Sequence, residues 1–275
     1  MRISLFQRLK KQNNPPLIVH FGYHKGMTVY FMRIFLKITE KVGWHFERFD
    51  ITDADRFLHE AKQHETAKIL MIDTVFHDTN QLPRHFIGSH IIRDPRDLLV
   101  SGYNYHKWCT ENWVLEPLSG PMQNYLRLKD LNIKSDISGF SYQELLNYVD
   151  QETGLTIELN HRAESFRYMK LWNYKNRRIM ELRYEQIMGN EIEVFTRLFR
   201  HYKFNKELTS KSLEFVKMYS FENQKKQGYT GEKQHLSKGN IGQWRDSFSP
   251  AFKDLFKERH QGLLVKLGYE NDDNW

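Results

Sequence analysis

The stretch Leu17-Ile-Val-His-Phe-Gly-Tyr-His-Lys-Gly-Met-Thr-Val-Tyr-Phe31 decides the fold. A short apolar run breaks at Gly22, and apolar residues then recur at helical spacing between Met27 and Val42, at Phe31, Ile34, Phe35, Ile38 and Val42. The pattern predicts a buried parallel strand, a phosphate loop and a helix. Backbone N–H groups freed at such a helix start, with Lys25 beside them, suit a phosphorylated ligand. A triphosphatase loop would read Gly-x-x-x-x-Gly-Lys-Ser/Thr, whereas Lys25 here precedes Gly26. Any α/β domain can begin with a strand, a glycine turn and a helix, so this stretch alone leaves a purely structural reading open.

Working outward, Trp44 to Phe49 predicts a second strand, Asp53 to Glu65 has helical character, and Ala67 to Asp73 is an apolar strand ending in an acid. That acid superficially resembles the magnesium-holding residue of triphosphatases, but without the matching lysine loop Asp73 reads as structural. A fourth strand, Gly88 to Arg93, leads into Asp94-Pro95, an N-cap with proline at the first helical position, and a helix to about Lys107. From Trp108 to Phe140 the periodicity fades into a long loop with short helical pieces, a length that usually carries function. Helices are expected at Ser141 to Glu152 and Thr156 to Tyr174, then a fifth strand at Arg178 to Tyr184. Further helices are expected at Glu191 to Tyr202, Lys206 to Met218 and Pro250 to Leu267, with a polar, lysine-rich loop at 224–247. This alternation predicts an α/β fold with a central parallel sheet covered by helices on both faces. Ligands of such sheets bind at the carboxyl ends of the strands, where Lys25 and Arg93 both lie.

The chain has 275 residues, 40% hydrophobic and 14% aromatic, which excludes a disordered protein and fits a single domain over 1–275 with a tail at 1–14. A formal net charge of +7 favours anionic partners. No nucleic-acid recognition module accompanies that charge, so nucleic acid is not expected as a partner. Cys109 is the one cysteine, which excludes an intrachain disulfide or a cysteine metal cluster. With no apolar run long enough for a signal peptide or a membrane span, a cytoplasmic protein is expected, its basic, partly apolar tail offering at most weak membrane contact.

Two later stretches complete the first. In Ile91-Ile-Arg-Asp-Pro-Arg-Asp-Leu-Leu-Val-Ser101, Arg93 ends a strand and Ser101 lies two turns into the next helix, so both can reach one phosphate. In Ser237-Lys-Gly-Asn-Ile-Gly-Gln-Trp-Arg245, Lys238 and Gly239 offer a cation and an unhindered backbone. The lysine loop, the Arg-x-Pro-x-Asp segment with its serine, and the Lys-Gly-x-x-Gly-x-Trp-Arg loop together resemble the sulfotransferase family, whose donor is PAPS (phosphoadenosine phosphosulfate), over residues 17 to about 270. The resemblance implies a P-loop-like three-layer fold, sulfuryl transfer to a small-molecule, sugar or lipid acceptor, release of adenosine 3′,5′-bisphosphate (PAP), and no metal. It assigns Lys25 to the phosphosulfate bridge, Gly26, Met27, Thr28 and Val29 to the 5′-phosphate cradle, and Tyr30 to adenine stacking. Arg93, Ser101, Lys238 and Gly239 fall on the 3′-phosphate, and Tyr184, Ser220 and Phe221 on adenine. Residues 108–140 would be the acceptor-side loop and 224–247 the loop closing over the donor.

Two departures stand out. The family's loop usually reads Lys-Ser-Gly-Thr-Thr, whereas this one reads Lys25-Gly-Met-Thr-Val29, and Ser237 stands where many members have arginine. A positive φ at Met27 would be strained, so the turn is expected to shift to Gly26, and Arg96 is a candidate replacement cation. Many members place a base histidine just after the third strand. His77 fills that position, with Asp78, His24 and His106 as alternatives among 13 histidines. A P-loop kinase or triphosphatase, and a non-catalytic nucleotide-binding relative, are the alternative readings.

Overall fold

A computed structural model of the protein describes residues 16–50, 52–63, 65–73, 78–133, 136–226 and 241–275. In chain order the principal elements begin β1 (Leu17–Gly22), α1 (Thr28–Val42), β2 (His45–Phe49), α2 (Ala54–Lys62), β3 (Lys68–Asp73), β4 (Ile87–Ile92) and α3 (Pro95–His106). They continue with α4 (Tyr142–Tyr148), α5 (Gln151–Leu171), β5 (Ile179–Arg183), α6 (Glu191–His201), α7 (Lys206–Tyr219), α8 (Phe221–Lys226), α9 (Pro250–His260) and α10 (Leu263–Leu267). The chain forms two compact units, one of Met1–Arg93 with Trp172–Leu236, the other of Asp94–Leu171 with Ser237–Trp275.

The first unit holds the whole sheet, in the order β2-β3-β1-β4-β5, with every pair parallel. Strand β1 is buried along its full length because side chains alternate between two covered faces. Ile18, Ile69, Met71, Ile91 and Leu182 pack on one face with Phe31, Ile34 and Phe35 of α1, Phe195 and Phe199 of α6 and Val216 of α7. Val19, Phe21, Leu70 and Ile72 pack on the other with Phe57 and Ala61 of α2 and with Trp172. This is the parallel sheet with helices on both faces that the strand and helix periodicities predict. His20 interrupts the apolar run without opening it: its ring stacks on Phe31 at 4.1 Å, and its Nδ1 lies 2.7 Å from Ser89 Oγ, itself 2.5 Å from the Tyr202 hydroxyl.

The second unit is helical and built around a buried carboxylate. Glu158 on α5 accepts from His106 Nδ1 at 2.8 Å, Tyr142 Oη at 2.7 Å and Arg162 Nε at 2.8 Å. Burial alone would raise its pKa, but His106 and Arg162 hold it well below the usual carboxylate range. Helix α4 starts on the Ser141/Glu144 capping box. Residues 108–140 contain the short helices Asn112–Leu115 and Gly120–Tyr125 and a 3-10 turn at Leu128–Asp130.

Three expectations are corrected. The single helix expected over Pro250 to Leu267 is two, because Gly262 takes φ +70° between α9 and α10. Helix α5 begins at Gln151, five residues before the expected start. Within the expected loop at 224–247, α8 extends to Lys226 and a helical turn spans Trp244–Ser247, while residues 227–240, like the tail at 1–14, lie outside the described residues. No helix among the described residues is long and apolar enough to cross a membrane.

Candidate active site

The loop after β1 is held by its own backbone. Gly26 N–H donates to Tyr23 O at 2.7 Å, and a Cβ on Gly26 would sit 2.8 Å from that same oxygen, so close approach is what demands glycine here. The expected shift of the strained turn onto Gly26 is corrected: Gly26 has no positive φ, whereas Lys25 (φ 68°) and Met27 (φ 70°) do. Each such residue costs about 1 kcal/mol. Met27 is retained because its side chain is anchored in the core beside Phe31. It also N-caps α1 and makes no side-chain hydrogen bond of its own to the first turn. Thr28 Oγ1 donates to Tyr23 O at 3.3 Å, and Val29 beside it is exposed.

Arg93 follows β4, the neighbour of β1, and lies against this loop. It is 5% exposed, its Nη1 donates to Lys25 O at 3.3 Å, and its guanidinium sits 4.2 Å from the Tyr184 ring centroid. Its buried Nε has no partner among the described residues, and no carboxylate among them pairs with it. A buried guanidinium held by one carbonyl and one ring face is arranged to receive an anion. This orphaned donor, beside the uncapped start of α1, fits the phosphates of a nucleotide donor.

The aromatic positions gather on the α1 side of the sheet. Tyr30 is buried, its ring 5.9 Å from Phe221, and its hydroxyl reaches Val216 O at 3.5 Å. Burial, with a lesser push from Glu191, raises the pKa of that hydroxyl and keeps it protonated. Ser220 donates to Lys217 O at 2.9 Å and accepts from Asn223 N at 3.3 Å. Of the residues singled out in the sequence, Lys25, Gly26, Met27, Thr28, Val29, Tyr30, Arg93, Tyr184, Ser220 and Phe221 thus belong to the first unit. Ser101 lies on α3 in the second, and His77, Lys238 and Gly239 lie outside the described residues.

The second unit joins two of the sequence motifs to each other. Asp97, the acid of Arg-x-Pro-x-Asp, accepts Gly242 N–H at 2.6 Å and Trp244 N–H at 3.1 Å. Arg96 is corrected as a donor-binding cation. It donates to Asp94 from Nε at 3.0 Å and Nη2 at 2.8 Å and to Glu270 from Nη1 at 2.5 Å, between the rings of Trp244 and Trp275. Those bonds satisfy its fork and its charge. His106 is likewise corrected as a base, because its ring is fully buried and its Nδ1 is committed to Glu158. Asp78 caps the 3-10 turn Thr79–Gln81, accepting Asn80 N–H at 3.2 Å. Sequence reasoning missed Arg48, which pairs with Asp73 at 2.6 Å beside Thr28; its only sequence signal is an arginine at the end of an edge strand.

The fold resembles mouse sulfotransferase SULT7A1 complexed with PAP, with 14% identity, 98% of this chain and 94% of that chain covered, and a TM-score of 0.50. It also resembles retinol dehydratase in a complex with retinol and PAP, with 14% identity, 93% and 83% covered, and a TM-score of 0.50. No curated protein matches the chain. The likenesses to solved structures concern the fold; the sequence itself matches the sulfotransferase domain family over residues 78–268, more than two thirds of the chain, and the protein belongs to that family.

Proposed function

We propose that the protein transfers a sulfuryl group from PAPS to a hydroxyl or amine of a small-molecule, sugar or lipid acceptor and releases PAP. Arg93 carries this reading: a buried cation without a carboxylate partner among the described residues, donating to the carbonyl of the phosphate-loop lysine. PAPS, when bound, supplies the activated sulfuryl group and a phosphate leaving group. Lys25 stabilises charge building on that leaving group, and the backbone from Gly26 to Val29 cradles the 5′-phosphate. Arg93, with Ser101, Lys238 and Gly239, holds the 3′-phosphate that distinguishes this nucleotide from ATP. Tyr30, Phe221, Tyr184 and Ser220 surround adenine, a role supported by the packing of Tyr30 on Phe221 and of Tyr184 on Arg93. His77 accepts the acceptor's proton as the bond from the acceptor oxygen or nitrogen to sulfur forms and the bond from sulfur to the leaving phosphate oxygen breaks. Because the family match runs from 78 to 268, through segments of both units, residues 1–275 are read as one sulfotransferase domain working in the cytoplasm.

Incubation with PAPS and an acceptor panel, reading PAP and sulfated product, tests this. Lys25→Ala is expected to abolish turnover, and Arg93→Ala to raise the Kd for PAP. Unchanged turnover in Lys25→Ala would remove the mechanism.

A further inference from the structure

Arg48 closes the gap between two carboxylates beside the phosphate loop. A single nitrogen, Nη2, lies 2.7 Å from Asp50 Oδ1 and 2.6 Å from Asp73 Oδ2. Asp73 ends β3 in register with Gly22, the last residue of β1, and its Oδ1 stands 3.5 Å from the hydroxyl of Thr28, the first residue of α1. Its side chain is 14% exposed. Burial raises the pKa of its carboxyl, and Arg48 is the largest opposing influence. A carboxylate at this place repels phosphates bound at the head of α1. Two carboxylates converging on one point, with a threonine hydroxyl next to one of them, are also the hard oxygen ligands that a divalent cation takes beside a nucleotide. Here a guanidinium nitrogen fills that point.

We propose that Arg48 is a built-in cation of the phosphate loop: it takes the seat between Asp50 and Asp73 that a divalent metal would otherwise occupy, and so cancels carboxylate charge next to the donor's phosphates. The inference rests on reading the loop as the PAP and PAPS site. Donor binding then needs no metal while Arg48 is present, and acquires a metal requirement when it is removed. Arg48→Met keeps the bulk of the side chain and uncovers both carboxylates. Asp73→Asn removes the buried one.

The test is calorimetry of PAP binding at pH 8 for the wild type, Arg48→Met, Asp73→Asn and the double variant, with chelator and with Mn²⁺, alongside paramagnetic resonance of Mn²⁺ without nucleotide. Wild-type affinity should be the same in chelator and in Mn²⁺. Arg48→Met should lose about tenfold in chelator and recover it in Mn²⁺. The double variant should bind PAP nearly as the wild type does in chelator, and Asp73→Asn alone should bind more tightly. Only Arg48→Met should immobilise Mn²⁺ in the absence of PAP. An ion pair that merely braces β2 against β3 would lower the melting temperature in both single variants without this rescue.

Wild-type affinity from Arg48→Met in chelator, or a double variant as weak as Arg48→Met, overturns the proposal. If the wild type binds no PAP, the reading of the loop fails, and the Mn²⁺ resonance still decides the cation seat: no immobilised Mn²⁺ in Arg48→Met rejects it. Should Arg48→Met not fold, Arg48→Lys and Asp73→Asn carry the test. Binding that becomes metal-dependent in Arg48→Lys, or that weakens in Asp73→Asn, rejects the proposal.

Discussion

Met27 holds a left-handed backbone that glycine would adopt without strain, and a balance of two energies explains why it is not glycine. Relief of the positive φ would return about 1 kcal/mol. Removing a methionine side chain that is 8% exposed and packed in the main core costs about 2–5 kcal/mol. Burial wins, so Met27→Gly is expected to lower stability by about 2 kcal/mol in urea unfolding while leaving the loop's turn intact. Gly26 is the opposite case. A methyl group there meets the Tyr23 carbonyl oxygen at 2.8 Å, an atom of the backbone that cannot swing aside. Gly26→Ala should therefore spoil the turn itself, weakening PAP by about tenfold or more with a smaller loss of global stability. The two variants separate fold strain from ligand geometry, and PAP calorimetry paired with urea titration reads both. Reversal of that pattern would mean that the side chain of Met27, rather than the Gly26 turn, shapes the anion site.

The start of α3 shows how one short segment fastens another. Asp94 caps the helix and clamps Arg96, and Asp97 one turn later receives two backbone N–H groups from Gly242 and Trp244. Asp97→Ala leaves the buried Trp244 N–H and the part-buried Gly242 N–H without a carboxylate, which should cost about 2 kcal/mol in urea unfolding. PAP affinity should fall with it, since Lys238 and Gly239 lie just before the fastened residues. Much of this element was legible in sequence: the apolar runs marked β1, β3 and β4, and Asp94-Pro95 marked where α3 begins. What escaped depends on partners distant in the chain. Arg96 looks like an available cation until Glu270, 174 residues away, is seen to hold it. Arg48 carries no visible purpose until the order β2-β3-β1 brings it to Asp73. The break at Gly262 was missed because one glycine within an amphipathic pattern costs a helix only about 1 kcal/mol and need not end it.

Buried histidines make the molecule as a whole sensitive to acid, and the sign follows from their direction of shift. Burial lowers the pKa of His20 to about 3 in the first unit; in the second, burial lowers His161 to about 3 and, with Lys170 and Arg259 adding to the effect, His260 to about 4. All three are neutral in the fold at neutral pH. An unfolded chain takes up protons at histidine from about pH 6.5 downward, whereas the folded chain resists until about pH 3 to 4. Stability is thus fully present above about pH 7 and is lost as pH falls through 6.5 toward 4. The three groups together remove roughly 4 kcal/mol between about pH 7.5 and 5.5, two thirds of it from the second unit. His161→Phe preserves a ring that can stack on Trp113, 5.1 Å away in the native protein, but cannot bind a proton. Urea midpoints at the two pH values should fall on acidification in the wild type, and the fall should shrink by about one third in His161→Phe. An equal fall in both proteins would assign the acid sensitivity to groups other than His161.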